Sequence, residues 1–228
     1  MKTLIIANWK MYLTIQESRE LAAEFAKQSD LITGSRVILC PSAIALQDVR
    51  HQIYSSDIGL GIQSGPISAD LGAYTGQNSL QQAKELDVEY VVLGHSEMRA
   101  YLAETDEIVS KKLENVFQHK LIPIICIGET DEERVSGRTD QIIYQQLHTI
   151  FENHDLADKD FIIAYEPRWA IGTGKACDDE EANRIHTHIL QIMKEFLPED
   201  KNIPIVYGGS VDSKNVKEFS NAILRLIN

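Results

Sequence analysis

Glu166, His95 and Lys10 are a carboxylate, an imidazole and an ammonium, and each closely follows a short apolar run. A carboxylate at the end of a buried strand becomes a stronger base when it is desolvated. Pro167 also biases the backbone of Glu166 toward an extended conformation. A neutral imidazole at a helix start can donate a hydrogen bond to an oxygen, and an ammonium can bind a phosphate. Together the three types could move a proton next to a carbonyl.

Each of these residues also fits a structural role when it is taken alone. Glu166 could form an ion pair at a strand end, and His95 could cap a helix or face solvent. Lys10 could be an ordinary surface charge. The elements that would position the three residues therefore matter.

Short apolar runs recur along the chain, and amphipathic stretches lie between them. Near-continuous apolar runs are typical of strands that are buried on both faces. The runs are Leu4–Ala7, Val37–Leu39, Ile58–Ile62, Tyr90–Leu93, Ile122–Ile127, Phe161–Tyr165 and Ile205–Tyr207, and the helical stretches are Ser18–Lys27, Glu104–Phe117 and Glu180–Phe196. The alternation predicts parallel βαβ units in a single domain over residues 1–228.

Polar and glycine-rich segments follow the ends of the predicted strands. They are Asn8 with Lys10, Gly94–Glu97, Gly128–Thr130, Glu166–Gly174 and Gly208–Ser210. Ligands bind at this edge both in α/β barrels and in doubly wound sheets. The alternative is that such residues only mark βα turns.

Composition excludes some functions. The 228 residues carry 34 acidic and 22 basic side chains, a net charge of −12. This balance argues against binding to nucleic acid or to an anionic membrane, but not against an anionic small substrate. The three cysteines are scattered and form no CxxC pair, which favours a reduced cytoplasmic protein without a zinc site. The first apolar run is too short for a signal peptide or a membrane span.

A specific set of motifs occurs in order along the chain. It comprises Asn8-Trp9-Lys10, Gly72-Ala73-Tyr74-Thr75-Gly76, Gly94-His95-Ser96-Glu97, Cys126-Ile127-Gly128-Glu129-Thr130, Ala164-Tyr165-Glu166-Pro167 through Trp169-Ala170-Ile171-Gly172-Thr173-Gly174, and Tyr207-Gly208-Gly209-Ser210. This set resembles the triose-phosphate isomerase family. The resemblance implies an α/β fold, a TIM (β/α)8-type parallel barrel, with no metal and no organic cofactor. It also implies interconversion of dihydroxyacetone phosphate and D-glyceraldehyde 3-phosphate through an enediolate, in glycolysis and gluconeogenesis.

The same resemblance implies a role for each site residue. Glu166 is the catalytic base, His95 is the neutral electrophile and Lys10 meets the negative charge of the substrate. Substrate binding is also expected from Asn8, Lys10, Glu97, Gly172, Gly208, Gly209 and Ser210, with backbone N–H groups at the last three forming an anion-binding nest. Glu129 is expected to contact Trp169, and Cys126 is expected to pack within its strand.

A closing lid and a dimer are also implied. The lid residues are Pro167, Trp169, Ala170, Ile171, Gly172, Thr173 and Gly174, and the glycines give the segment backbone freedom. In the family, the loop that carries Thr75 inserts into the neighbouring subunit near Asn8 and Lys10. A homodimer is therefore expected.

The chain departs from the family pattern at three places. Arg168 stands in the first hinge of the lid, where a small apolar residue is usual, and Met98 replaces a common arginine. After Ser210 no Asp-Gly-apolar-Gly-Gly segment follows, and Ser220–Asn228 resembles the end of the last helix. About twenty residues are missing, roughly the length of a strand and its loop. The barrel is therefore predicted to be shortened at the eighth β/α unit.

The cause and the consequence of this shortening are open on the sequence alone. The shortening could be real, the sequence could lack a segment, or Ile223–Ile227 could supply a closing strand. A barrel without one strand exposes two strand edges. Each lost backbone donor to a charged oxygen would cost about 1.5–3 kcal/mol. The alternative function is a shortened or engineered barrel with little turnover that acts as a phosphate-binding or structural scaffold, and a different phosphosugar enzyme is a third reading.

Overall fold

The computed structural model describes residues 3–31, 34–68, 71–170 and 177–209. Within these ranges the chain forms a strand at each of the seven predicted apolar runs. The strands are β1 (Thr3–Asn8), β2 (Ser35–Cys40), β3 (Gly59–Ile62), β4 (Tyr90–Leu93), β5 (Ile122–Ile127), β6 (Ile162–Tyr165) and β7 (Ile205–Tyr207). The α-helices are α1 (Ile15–Lys27), α2 (Leu46–Ile53), α3 (Leu80–Glu85), α4 (Ser96–Leu102), α5 (Asp106–Gln118), α6 (Asp131–Val135), α7 (Thr139–Phe151) and α8 (Asp179–Met193).

The chain divides into two compact units, of which the first comprises residues 1–93 and 115–123. Its strands pair in parallel in the order β1, β2, β3, β4. Strands β1 and β2 pair from Thr3 with Ser35 to Asn8 with Cys40. Since all strands run the same way, the loops after β1, β2 and β3 leave from one edge of this sheet.

The second unit comprises residues 94–114 and 124–228, of which the structure describes the part up to residue 209 outside 171–176. Strands β5, β6 and β7 pair in parallel in that order, with Ile127 opposite Tyr165 and Tyr165 opposite Tyr207. The segments that follow these three residues therefore emerge at the same edge. The prediction of a single domain over residues 1–228 stays a prediction.

Burial explains why these strands read as continuous apolar runs. Every residue of β3, β4 and β6 is buried, so neither face of these strands needs polar side chains. The three predicted helices are present as α1, α5 and α8, and α8 ends at Met193 rather than at Phe196. Among the described residues, no helix combines the length and the apolar character that crossing a membrane requires.

Side-chain caps start the helices that follow the candidate site loops. The Thr130 side chain accepts from the Glu133 N–H, and the Glu133 carboxylate accepts from the Thr130 N–H, which is a capping box at the start of α6. Asp178 caps α8 in the same way through the Glu181 N–H. These caps fix where the loops after β5 and β6 end.

Candidate active site

His95 is the second residue after β4, and its ring caps α4. The ring is 7% exposed, and its Nδ1 accepts a hydrogen bond from the Glu97 N–H at 3.2 Å. A nitrogen that accepts a backbone proton cannot carry one itself, so the proton of the neutral ring lies on Nε2. The Nε2 atom is 3.5 Å from Oε1 of Glu166. The ring therefore presents a donor toward the carboxylate side of the site.

Glu166 follows β6 and is 6% exposed. Its Oε2 accepts from the Ser96 N–H at 3.1 Å, and its own N–H donates to the Ile127 carbonyl at 2.7 Å. Burial raises the pKa of the Cys126 thiol well above its usual value, and the Glu166 carboxylate beside it, to which the thiol hydrogen-bonds, raises this pKa further. Cys126 therefore stays a thiol and contacts the carboxylate, besides packing in β5 as expected.

Two glycines make room for Glu166. A Cβ at Gly208 would lie 2.7 Å from Cγ of Glu166, and a Cβ at Gly128 would overlap the Glu166 carbonyl. The Gly208 N–H donates to the Tyr165 carbonyl at 2.8 Å. Gly208 was expected to bind phosphate through this N–H, but in this structure the donor is already used by the strand. What Gly208 provides here is space beside the carboxylate.

A buried carboxylate holds the start of the predicted lid. Glu129 is 1% exposed, and it accepts from the Tyr165 hydroxyl at 3.2 Å and from Trp169 Nε1 at 2.8 Å. Burial and the Glu129 charge raise the pKa of Tyr165, so its hydroxyl stays a donor. The Arg134 guanidinium covers the Trp169 ring at 3.7 Å from its centroid. The Arg168 N–H donates to the Glu129 carbonyl at 3.0 Å, a backbone bond that does not depend on the unusual side chain in the hinge.

Charged side chains bind the backbone of Gly94, the residue before His95, and the sequence did not reveal these contacts. The Gly94 N–H donates to Glu104 Oε2 at 2.9 Å, and the other oxygen of this carboxylate pairs with the Lys112 ammonium at 2.5 Å. The Gly94 carbonyl accepts from Arg99 Nε at 2.6 Å. Both polar groups of the Gly94 backbone are thus bound by charged side chains, which fixes the peptide from which the imidazole projects.

Asn8 and Lys10 lie in the first unit, at and just after the end of β1. Lys10 has a φ of 50°, which is the left-handed region. Its N–H donates to Oδ1 of Asn8 at 3.0 Å, and its carbonyl accepts from Nε2 of Gln63 at 2.8 Å. Asn8, which was expected to bind substrate, thus contacts the Lys10 backbone, and the sequence did not suggest the contact from Gln63.

The structure brings only some of the predicted site residues together. His95, Glu97, Glu166, Pro167, Trp169, Ala170, Gly208 and Gly209 are described in the second unit. Ile171, Gly172, Thr173, Gly174 and Ser210 lie outside the described residues, and so does the predicted shortening of the eighth unit. Within the described residues no cluster of three or more histidine, cysteine, aspartate or glutamate side chains could hold a metal ion.

These features define a class, the parallel α/β proteins that carry a buried carboxylate and a buried imidazole beyond the carboxyl ends of their strands. A family model described as triosephosphate isomerase matches residues 3–223. The triosephosphate isomerase of Alkaliphilus metalliredigens is 40% identical over 96% of this chain and 89% of its own length. Those of Dictyoglomus turgidum and Clostridium tetani are each 38% identical, over 96% and 95% of this chain and 88% and 86% of their own lengths.

The chain belongs to the triosephosphate isomerase family. The family confirms three predictions, namely the family itself, the TIM-barrel fold class and the isomerase class of enzyme. The comparisons give no support to the scaffold alternative.

Proposed function

We propose that the chain interconverts dihydroxyacetone phosphate and D-glyceraldehyde 3-phosphate by proton transfer through an enediolate. The observation that carries the proposal is the buried Glu166 carboxylate 3.5 Å from a His95 nitrogen that bears the ring proton. A base and a neutral donor this close can act on one carbon and on its neighbouring carbonyl oxygen.

The chemistry follows from these two groups. Glu166 takes the proton from the carbon next to the carbonyl, and the C–H electron pair becomes the double bond of the enediolate. The Nε2–H of His95 donates to the carbonyl oxygen, where negative charge develops. His95 Nε2 passes its proton to this oxygen and takes up the proton of the neighbouring hydroxyl, whose oxygen becomes the new carbonyl as protonated Glu166 returns its proton to the adjacent carbon. Burial of both groups favours this exchange because it keeps bulk water away from the enediolate.

The remaining roles are proposed from the family pattern. Lys10 binds the negative charge of the substrate, and Asn8 orients it through the bond to the Lys10 N–H. The N–H groups at Gly172, Gly209 and Ser210 bind the phosphate. Glu97 contacts substrate beside His95, and the segment from Pro167 to Gly174 closes over the site.

A coupled assay of glyceraldehyde 3-phosphate isomerisation tests the proposal, on protein of confirmed intact mass. Glu166→Gln keeps the size of the side chain but removes the base, so kcat is expected to fall by about 10²–10⁴-fold. Glu195→Gln, an exposed glutamate elsewhere in the second unit, is the matched control and keeps wild-type turnover. Unchanged turnover in Glu166→Gln would show that the mechanism is wrong. Folded wild-type protein without turnover would show that the chain is not an active isomerase.

We also propose a homodimer formed through the strand-end loops of the first unit. Large apolar side chains are exposed after β1, β2 and β3, among them Met11 (92%), Ile44 (78%) and Tyr74 (50%). Because β1, β2 and β3 are parallel neighbours, these loops share one edge of the sheet. Large exposed apolar side chains in loops at one edge of a sheet are typical of a protein interface. The expected position of Thr75 in the interface agrees with the exposure of its loop.

Sedimentation velocity tests the dimer. Tyr74→Asp puts a charge in the interface and is expected to shift the protein to monomer, with loss of turnover if the Thr75 loop supports the neighbouring site. Tyr54→Asp is the control, because Tyr54 is 72% exposed but lies at the end of α2 rather than in a strand-end loop. A dimer that survives Tyr74→Asp and Thr75→Arg would contradict the proposed interface.

A cytoplasmic location is proposed together with the glycolytic role. All three cysteines, Cys40, Cys126 and Cys177, are buried free thiols, which agrees with a reducing compartment. The net charge of −12 gives no reason to expect nucleic-acid or anionic-membrane partners. Fractionation of the source cells, with detection of this chain, checks the location.

A further inference from the structure

The backbone of Lys10 is strained in a way that its place in the fold does not explain. Four described residues other than glycine have a positive φ, namely Lys10, Asp87, Ala103 and Lys120. Ala103 is the first residue after α4, and Asp87 and Lys120 are the second residues after α3 and α5, positions where a left-handed residue commonly terminates a helix. Lys10 instead follows a strand. A left-handed backbone costs a residue with a Cβ about 1–2 kcal/mol, so something must hold it.

Two side-chain amides hold this backbone from opposite sides. The carbonyl oxygen of Asn8 accepts from the Lys10 N–H at 3.0 Å, and Nε2 of Gln63 donates to the Lys10 carbonyl at 2.8 Å. The same Nε2 donates to the Cys40 carbonyl at 3.0 Å. Both protons of the Gln63 amide thus bind backbone carbonyls, one after β1 and one at the end of β2.

Gln63 lies in the chain where its amide can bind the ends of neighbouring strands. Gln63 is the residue immediately after β3 and is half-buried. The Cys40 carbonyl that it binds also accepts the N–H of Trp9, the residue before Lys10, at 3.0 Å. One amide therefore ties together the ends of three neighbouring parallel strands.

The backbone conformation of a residue fixes the direction in which its side chain leaves the chain. If Lys10 relaxed to a negative φ, its Cα–Cβ bond would turn and the ammonium would move by more than the tolerance of a binding site. We propose that Gln63 is a positioning residue for Lys10: by holding the left-handed backbone it aims the ammonium at the substrate. This inference rests on the proposed role of Lys10 in binding negative charge.

Gln63→Met tests the inference because it keeps the length of the side chain and removes both donors. The steady-state assay is expected to show a kcat/KM lower by about 10-fold to 100-fold, carried mainly by a higher KM, since a displacement near 1 Å has effects of this size. Gln63→Glu, whose carboxylate faces two carbonyls, is expected to lose more. Gln47→Met, the same change at an exposed position of α2, is the control and leaves both constants unchanged. Thermal unfolding midpoints show whether the variants are folded at the assay temperature.

A double-mutant cycle with Lys10→Ala distinguishes an effect of Gln63 on the position of the Lys10 ammonium from a general effect of Gln63 on the fold. Its readout is the affinity for inorganic phosphate, measured by ³¹P NMR titration, which does not need turnover. Gln63→Met is expected to weaken phosphate binding when Lys10 is present and to change it less than about twofold when Lys10 is alanine. Equal weakening in both backgrounds, or wild-type KM and phosphate affinity in Gln63→Met, would overturn the inference. Absence of isomerase turnover in the parent would refute only the proposed function, because the titration remains decisive for Gln63.

Discussion

Gly208→Ala adds one methyl group beside the proposed base. We expect it to lower kcat by more than its loss of stability can explain. The new Cβ would lie 2.7 Å from Cγ and 3.4 Å from Oε1 of Glu166. Carbon atoms in contact are about 3.5–4.0 Å apart, so the glutamate side chain has to move by about 1 Å. A misplacement of that size costs about 100-fold in rate, and we expect kcat to fall by this factor. Overpacking alone costs about 1–3 kcal/mol of unfolding free energy.

The coupled assay measures kcat, and thermal unfolding measures the stability loss, at about 2–4 °C per kcal/mol for a chain of this size. Gly59→Ala is the matched control, because its Cβ would meet the Tyr90 ring at 2.8 Å, at the start of β3 and away from any proposed catalytic group. It should lose similar stability and keep its kcat. Wild-type kcat in Gly208→Ala would refute the argument that the position of Glu166 is set by this close approach.

Three further substitutions test other parts of the structure. His186 is 1% exposed and burial lowers its pKa to about 4, so the unfolded chain binds an extra proton between pH 6.5 and 4 and stability should fall by up to about 3 kcal/mol as the pH drops through that range. Urea titrations at several pH values should show this slope in the wild type and a smaller one in His186→Phe, and equal slopes would contradict it. The planar Arg99 guanidinium binds two backbone carbonyls and a carboxylate, and a lysine cannot make all of these hydrogen bonds. In Arg99→Lys, kcat should therefore fall about 10-fold with little change in KM. An unchanged kcat would show that these hydrogen bonds do not position the His95 imidazole. Lys112→Met leaves the buried Glu104 carboxylate without its ammonium and should lower the free energy of unfolding by about 3–5 kcal/mol. Adding Glu104→Gln should restore part of this free energy. If the effects of the two substitutions simply add, the two side chains do not stabilise each other.

The strands could be predicted from the sequence because a parallel strand that is buried on both faces leaves an uninterrupted apolar run. Short helices such as α3 and α6 were not predicted, since six and five residues are too few to show a periodic stripe. Their signal was instead in the caps, such as Thr130 with Glu133, which fit the capping-box spacing. The end of α8 was placed three residues late because Phe196 continues the apolar stripe beyond the last helical turn.

The site was only partly predictable because much of its support comes from contacts to the main chain. Glu166 and His95 stand in recognisable motifs, but Arg99, Glu104 and Gln63 bind backbone groups 5, 10 and 53 residues away, and no motif links them to those groups. No spacing rule predicts such a contact. The use of the Gly208 N–H by β6 has the same origin, because it follows from the pairing of Tyr165 with Tyr207.

The contacts that pair His95 with Glu166 all belong to one compact unit, and those that hold the backbone of Lys10 belong to the other. The supports of the proposed acid–base pair and the supports of the Lys10 backbone therefore lie in separate stretches of the chain. Substitutions among the residues that hold Lys10 can change its position while His95 and Glu166 keep their own supports. For protein engineering, the support of Lys10 can therefore be varied in the loops after β1, β2 and β3 without changing a residue that contacts both His95 and Glu166.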